Sequence, residues 1–288
     1  MKRIRQRAMK RLALLVVVIL SAWSTMAAQV LDASRYEQRT LSWGGGAVQS
    51  LDTYLSPLLY RGAHVAILSE RFSQMPAPSG RWFAQSLFFL HGDYALAAEG
   101  RGLTVGGMAD YSYTLFNRLP LGEDNSRWTL YAGAQGQLRV GGIYNLRNSN
   151  NPAQLKLGVN MAASVMGKYA FTLWGVPMNV RLQADLPLLG FAFAPDYGQS
   201  YYEIFYLGND EDCVHVTAPH NNLSLRTALS YDLQFSSCTI RLTWQEDLYH
   251  WHLGSQQYRM LTHTLMIGYV DNLYHVLRDD QVSEYIPY

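Results

Sequence analysis

The stretch Trp128-Thr-Leu-Tyr-Ala-Gly-Ala-Gln-Gly-Gln-Leu-Arg-Val140 decides the fold. Its even positions are Trp128, Leu130, Ala132, Ala134, Gly136, Leu138 and Val140, with no charge among them. Between them stand Thr129, Tyr131, Gly133, Gln135, Gln137 and Arg139. Successive side chains of a β-strand point to opposite faces, so this is a strand with one apolar face and one polar face. Its length is well beyond the usual strand of ~5–6 residues. It suits a tilted strand crossing a bilayer, which needs ~9–11 residues.

The same alternation recurs. In Leu155–Val165 the apolar face is interleaved with Lys156, Gly158, Asn160, Ala162 and Ser164. In Leu223–Phe235 the second face carries Ser224, Arg226, Ser230, Asp232 and Gln234. Arg181, Gln183 and Asp185 alternate with Val180, Leu182, Ala184 and Leu186, and Arg241, Thr243 and Gln245 with Ile240, Leu242 and Trp244. Alternation alone also fits a soluble sandwich or a lipocalin. Lipocalins use eight strands, fewer than this chain can supply. Aromatics also recur near the segment ends (Tyr111, Tyr113, Trp128, Tyr169, Trp174, Tyr231, Trp244, Tyr269), where a membrane-interface girdle would need them. The expected fold is therefore all-β: an antiparallel, up-and-down transmembrane β-barrel of about ten strands.

Nine strands are marked near 63–72, 82–91, 103–116, 128–141, 155–171, 178–191, 223–235, 239–248 and 260–270, with a weaker tenth within 38–53. Outer-membrane barrels have short periplasmic turns and longer external loops. The short connections at 174–177 and 236–238 are accordingly read as periplasmic, and the long stretch 194–222 as external. Cys213 and Cys238 then lie at opposite ends, and no disulfide is expected.

Outward from this core, the chain opens with Lys2, Arg3, Arg5, Arg7, Lys10 and Arg11, then an apolar run from Leu12, then Ser24-Thr-Met-Ala-Ala28. A basic start, an apolar run of ~7–15 residues and small residues describe a secretory signal peptide. Residues 1–28 are read as that signal and 29–288 as one barrel domain in the outer membrane. The signal holds 6 of the 23 basic residues, which leaves 17 against 22 acidic, a net charge of −5. No basic stripe then remains to suggest nucleic acid. Later in the chain no apolar run reaches the ~20 residues of a membrane helix.

Three phrases carry a resemblance: Tyr54-Leu-Ser-Pro-Leu-Leu-Tyr-Arg-Gly62, Gly141-Gly-Ile-Tyr-Asn-Leu-Arg-Asn-Ser-Asn-Asn-Pro-Ala153 and Pro195-Asp-Tyr-Gly-Gln-Ser-Tyr-Tyr-Glu-Ile-Phe205. Together they resemble an uncharacterised family of exported β-rich proteins in Bacteroidetes, a domain of unknown function. The resemblance spans nearly all of the mature chain. It implies an outer-membrane barrel and no activity.

All three phrases fall at the external end. Asn145, Arg147, Asn148, Ser149, Asn150 and Asn151 read either as a loop locked by Asx turns or as a polar recognition surface. The long loop contributes Asp196, Tyr197, Tyr201 and Glu203 to the same candidate ligand-binding set, with its tyrosines folding inward as a lid. The acids at 210–212 read as a solvated run or as oxygen ligands for a hard cation, and the loop carboxylates, Asp196 among them, with His215 and His220 read as an Asp/His site on the rim by analogy of fold alone. Asp110, Arg139, Lys156, Asn160, Lys168, Arg181, Asp185, Arg226, Asp232 and Arg241 should face the lumen, where mixed charges fill a narrow barrel. Tyr249-His-Trp-His252 reads as an aromatic cluster at the membrane interface, or as two histidines sharing a metal; no metal site is assigned.

The expected function is a non-enzymatic outer-membrane protein whose external loops bind a small polar ligand, a glycan or a surface component. Its surrounding partner is outer-membrane lipid, and no cofactor motif is present. A narrow channel is the alternative, and a rim-sited hydrolase a third reading.

Overall fold

The computed structural model describes residues 36–98, 100, 102–121, 127–149, 151–196, 198–209, 211–235 and 238–274. The expected signal peptide therefore lies outside the described residues, as does the tail beyond 274. The strands are β1 (Tyr36–Asp52), β2 (Ser56–Gln74), β3 (Trp82–Ala97), β4 (Leu103–Leu119), β5 (Trp128–Asn145), β6 (Ala153–Leu173), β7 (Val176–Phe193), β8 (Val214–Thr217), β9 (Leu225–Gln234), β10 (Thr239–Leu253) and β11 (Gln256–Tyr274). Each of the ten long strands pairs antiparallel with both neighbours. The ring β1-β2-β3-β4-β5-β6-β7-β9-β10-β11 closes where β1 meets β11. A closed sheet has no free edge, which satisfies backbone groups where no water reaches them. The ten-stranded antiparallel barrel that the alternation implied is the fold. The short β8 was not foreseen; it pairs only with Gly190–Phe193 at the top of β7.

Alternation sorts the side chains. Leu155, Leu157, Val159, Met161 and Val165 of β6 point outward and are exposed, while Gln154, Lys156, Asn160 and Ser164 point inward and are buried. The outer wall is apolar around the ring, with Val65, Ile67, Leu182, Leu265 and Ile267 among its exposed side chains. An apolar exterior over a polar interior is the inverse of a soluble protein, and it is what a bilayer requires.

The interior is filled in layers. At the end where the chain enters β1, Phe72 stacks on Phe83 with centroids 5.3 Å apart, and Tyr131 meets both edge-on at 5.7 and 5.2 Å. Lys168 sits over the Phe72 ring at 4.1 Å. Above lies an ionic layer. Arg181 grips Glu70 at 2.6 and 2.8 Å, and Arg241 binds Glu70 at 2.7 Å and Asp232 at 2.6 and 2.8 Å. Arg139 holds Asp110 at 2.5 and 2.7 Å, and Arg226 bridges Asp110 and Asp247. At the other end Lys156 reaches Asp52 at 2.7 Å and lies over the Tyr258 ring at 3.8 Å. The inward residues expected from the alternation all face this packed lumen.

Glycine is required where β1 runs through Gly44-Gly45-Gly46. A Cβ on Gly44 would come 1.9 Å from the Leu265 carbonyl oxygen, and one on Gly46 1.8 Å from that of His263. Only bare backbone lets β1 approach β11 this closely at the closing seam.

Loop length separates the two ends less cleanly than expected. The upper end, where β1 finishes, has connections at 53–55 and 254–255 of three and two residues, against two at 174–175 at the lower end. The connection between β7 and β9 alone marks the upper end by its length. Cys213 beside Ala194 and Cys238 before β10 stand at opposite ends, with no disulfide joining them.

Candidate functional site

The upper rim gathers the candidate residues. Asn145 ends β5 on its inward face and is buried. Its amide donates to Tyr60 Oη at 2.9 Å, and its carbonyl oxygen accepts the Arg147 backbone N–H at 2.9 Å. Asn148 Oδ1 accepts the Asn151 N–H at 3.1 Å, and its amide donates to the Leu55 carbonyl at 3.0 Å. The Asn145 contact is an Asx turn, and together these bonds lock the 146–152 loop and tie it to the β1–β2 turn. Arg147 is exposed above them. Asn150 lies outside the described residues, as does Tyr197.

The long connection folds back over the rim. Asp196 Oδ1 accepts from Ser255 Oγ at 2.9 Å, and the Asp196 N–H donates to Gln199 Oε1 at 2.8 Å. Ser200 and Glu203 form a reciprocal cap. Glu203 Oε2 accepts the Ser200 N–H at 2.8 Å, and Ser200 Oγ accepts the Glu203 N–H at 3.3 Å. This is the Ser-x-x-Glu capping box, a signal present in the sequence that the loop reading passed over. It opens the π-helical turn Glu203–Leu207. Tyr201 Oη accepts the Leu155 N–H at 2.5 Å, and its ring stacks on Phe205 with centroids 6.0 Å apart.

This packing leaves a groove. Val105, Gly107, Gly142, Tyr144 and Leu155 of the outer wall face Tyr201 and Phe205 across a cavity of about 440 Å³, nearly all apolar. It opens on the apolar outer surface directly beneath the asparagine loop. Phe205 and Tyr206 project from the turn largely exposed, an aromatic face suited to a membrane interface.

Of the acid–histidine set, Asp210 lies outside the described residues, while Asp196 and His215 both border Gly254. His215 Nε2 pairs with the Ala194 carbonyl at 3.0 Å, while Asp196 is engaged by Ser255. His220 is exposed, and among the described residues no three His, Cys, Asp or Glu side chains converge as metal ligands. The Tyr249–His252 phrase is not a membrane-interface cluster. Tyr249 and Trp251 point into the lumen, where the Arg139 guanidinium lies 3.3 Å from the Tyr249 ring centroid. The physical reason is parity: Tyr249 and Trp251 share the face of Arg241. His250 and His252 point the other way, to the outer wall.

Burial and the neighbouring Tyr201, Asp52, Cys213 and Glu203 push the Tyr54 phenol in the β1–β2 turn up to about 12. Its hydroxyl stays protonated and donates to the Gln199 carbonyl at 2.7 Å.

A closed antiparallel barrel with an apolar wall and a filled polar interior defines the class of up-and-down barrels that outer-membrane proteins use. Within that class the chain belongs to the family described as Protein of unknown function (DUF3316), which matches residues 12–279. No curated protein matches the chain. Among solved structures it is similar to the transport unit of the autotransporter AIDA-I from Escherichia coli, at 8% identity over 82% of this chain and 90% of that one, with a TM-score of 0.40. It is also similar to the translocator domain of autotransporter NalP from Neisseria meningitidis, at 9% identity over 87% and 96%, with a TM-score of 0.34. An outer membrane channel from Pseudomonas putida F1 matches at 11% identity over 83% and 96%, with a TM-score of 0.34.

Proposed function

We propose that the protein is a non-conducting barrel of the outer membrane that binds an amphipathic surface component at its upper rim and catalyses no reaction on it. In this reading residues 1–28 are a cleaved export signal, and the family is one of exported outer-membrane proteins of Bacteroidetes. One juxtaposition supports it. The lumen is packed with its own side chains, while a roomy concavity opens on the lipid-facing wall between β4–β6 and the tyrosine-rich turn. An acyl chain fits that apolar groove. Its polar head, a sugar or a small polar group, would meet the 145–151 loop and the Asp196–Glu203 segment above.

The test pairs two measurements on the purified protein. A fluorescent fatty acid should bind saturably, and Gly107→Leu should abolish that binding by filling the groove. A Cβ at Gly107 meets nothing closer than the His91 carbonyl at 3.9 Å, so the barrel tolerates the substitution. The wild-type protein in a planar bilayer should give no steady conductance. Unitary conductance would establish the narrow channel instead, and absent or unsaturable binding would remove the rim site.

A further inference from the structure

The outer wall carries one polar pair in the middle of its apolar band. His263 of β11 faces Glu246 of β10 as a direct cross-strand neighbour, and His263 Nδ1 is 2.9 Å from Glu246 Oε1. The two side chains are 47% and 42% exposed. Glu246 is the central residue of β10. Other outward ionisable side chains among the described residues, such as Arg61 and Arg259 above and Arg39 and Arg71 below, stand nearer the strand ends. His263 Nε2 and Glu246 Oε2 have no partner among the described residues. An ionisable pair left facing hydrocarbon is costly and marks a site where something polar must complete it.

The surroundings indicate what completes it. Along the hydrogen-bonded row through the pair run Ala63, Ala47, His263, Glu246, Thr227 and Ala184. Two small residues thus flank the pair on each side. The row below carries Val65, Gly45, Leu265, Trp244 and Leu229, and the row above Arg61, Gln49, Leu261, Leu248 and Leu225, so the ridges are bulkiest on β9–β11. The pair lies in a trough between two bulky ridges, where another wall could come close. Small residues at this kind of position are what allow close contact inside a membrane.

We infer that this face is the interface with a second copy of the same chain. The donor and acceptor are self-complementary. A two-fold axis between His263 and Glu246 sets the free Nε2 of each copy against the free Oε2 of the other, and with both imidazoles protonated on both nitrogens the two pairs close a ring of four hydrogen bonds. The same axis sets Ala47 of one copy against Thr227 of the other, small against small. An isologous contact of this sort needs one patch that matches itself. The inference rests on the membrane reading, because in water an exposed acid–histidine pair needs no partner.

The test uses full-length protein purified from membranes in mild detergent. Sedimentation should give the mass of two chains. Glu246→Lys should abolish the dimer by setting cations against cations, and adding H263E should restore it. Mixing Ala47→Cys with Thr227→Cys protein should yield a disulfide-linked dimer that neither gives alone, since the two positions lie three strands apart in one wall. The parent chain, with its own Cys213 and Cys238, is the control. A single-chain mass, including one that carries a bound anionic lipid, or a dimer indifferent to charge reversal would overturn the inference. Heat-modifiable gel mobility reads the barrel separately, so failure of the membrane reading remains distinguishable from failure of the dimer.

Discussion

Arg181 on β7 and Glu70 on β2 stand five strands apart in a ring of ten and meet across the lumen, Nη1 to Oε1 at 2.6 Å and Nη2 to Oε2 at 2.8 Å. Lys156 on β6 and Asp52 on β1 are likewise five strands apart and meet at 2.7 Å. These are diametric struts. They fix the cross-section as well as fill it, and they make the interior a specified core. Removing one partner of a buried pair costs ~3–5 kcal/mol because the other charge is left stranded, whereas apolar replacement of the whole set is often neutral. Glu70→Ala strands Arg181 and leaves Arg241 with Asp232 as its one acid partner among the described residues. It should lower the temperature at which the barrel loses its compact gel mobility by more than any lipid-facing Leu→Ala change does.

The seam between β1 and β11 depends on bare backbone. Gly46→Val places carbon within the radius of the His263 carbonyl oxygen. The β1–β11 pairing should fail, and the ring with it. Outer-membrane fractions of a strain producing this variant should contain little heat-modifiable protein, while Ala47→Val, whose side chain points outward, should assemble normally.

The upper cap has an alkaline limit. Tyr54 titrates near 10 when unfolded and about 12 when folded, because burial and nearby acids disfavour the phenolate. Its neutral form is the stabilised one. That contribution is fully present below the unfolded value and is lost as pH rises through the folded value. Between pH 10 and 12 the wild-type cap should loosen, read as rising proteolytic cleavage in the 194–224 connection. Tyr54→Phe should start looser, having lost its hydrogen bond to Gln199, and should show less change across that window.

The Ser200–Glu203 box holds the turn that walls the groove. Loss of a capping side chain costs ~0.5–2 kcal/mol. Ser200→Ala should raise amide exchange across residues 201–207 about tenfold per 1.4 kcal/mol lost. It should leave exchange in β5 and β6 unchanged.

Much of this architecture was legible in the sequence because period-two alternation is enforced on every strand by the contrast between lipid and lumen. Arg139, Lys156 and Arg241 declared their face by position alone. The same parity, extended from Arg241 along β10, places Tyr249 and Trp251 inside; composition suggested an interface cluster only because aromatics serve both places. Asn145 likewise shares the face of Arg139, which foretells its burial. Less could be read at the rim. β8 exists through four residues of pairing to the top of β7, a tertiary contact that no local pattern encodes. The apolar groove depends on a loop folding back over Leu155. The His263–Glu246 pair interrupts two alternating segments, and only the register of β10 against β11 makes the two residues neighbours.

The most direct measurement places a nitroxide on successive residues of β6, from 155 to 165, in a background with Cys213 and Cys238 replaced by serine, and reads collision with oxygen and with a water-soluble relaxant in lipid vesicles. A membrane-spanning barrel with a packed lumen gives oxygen access that rises at Leu155, Leu157, Val159, Met161, Ala163 and Val165 and falls at the residues between, with the water-soluble agent excluded throughout the middle. Uniform access, or entry of the water-soluble agent at the outward positions, would contradict it.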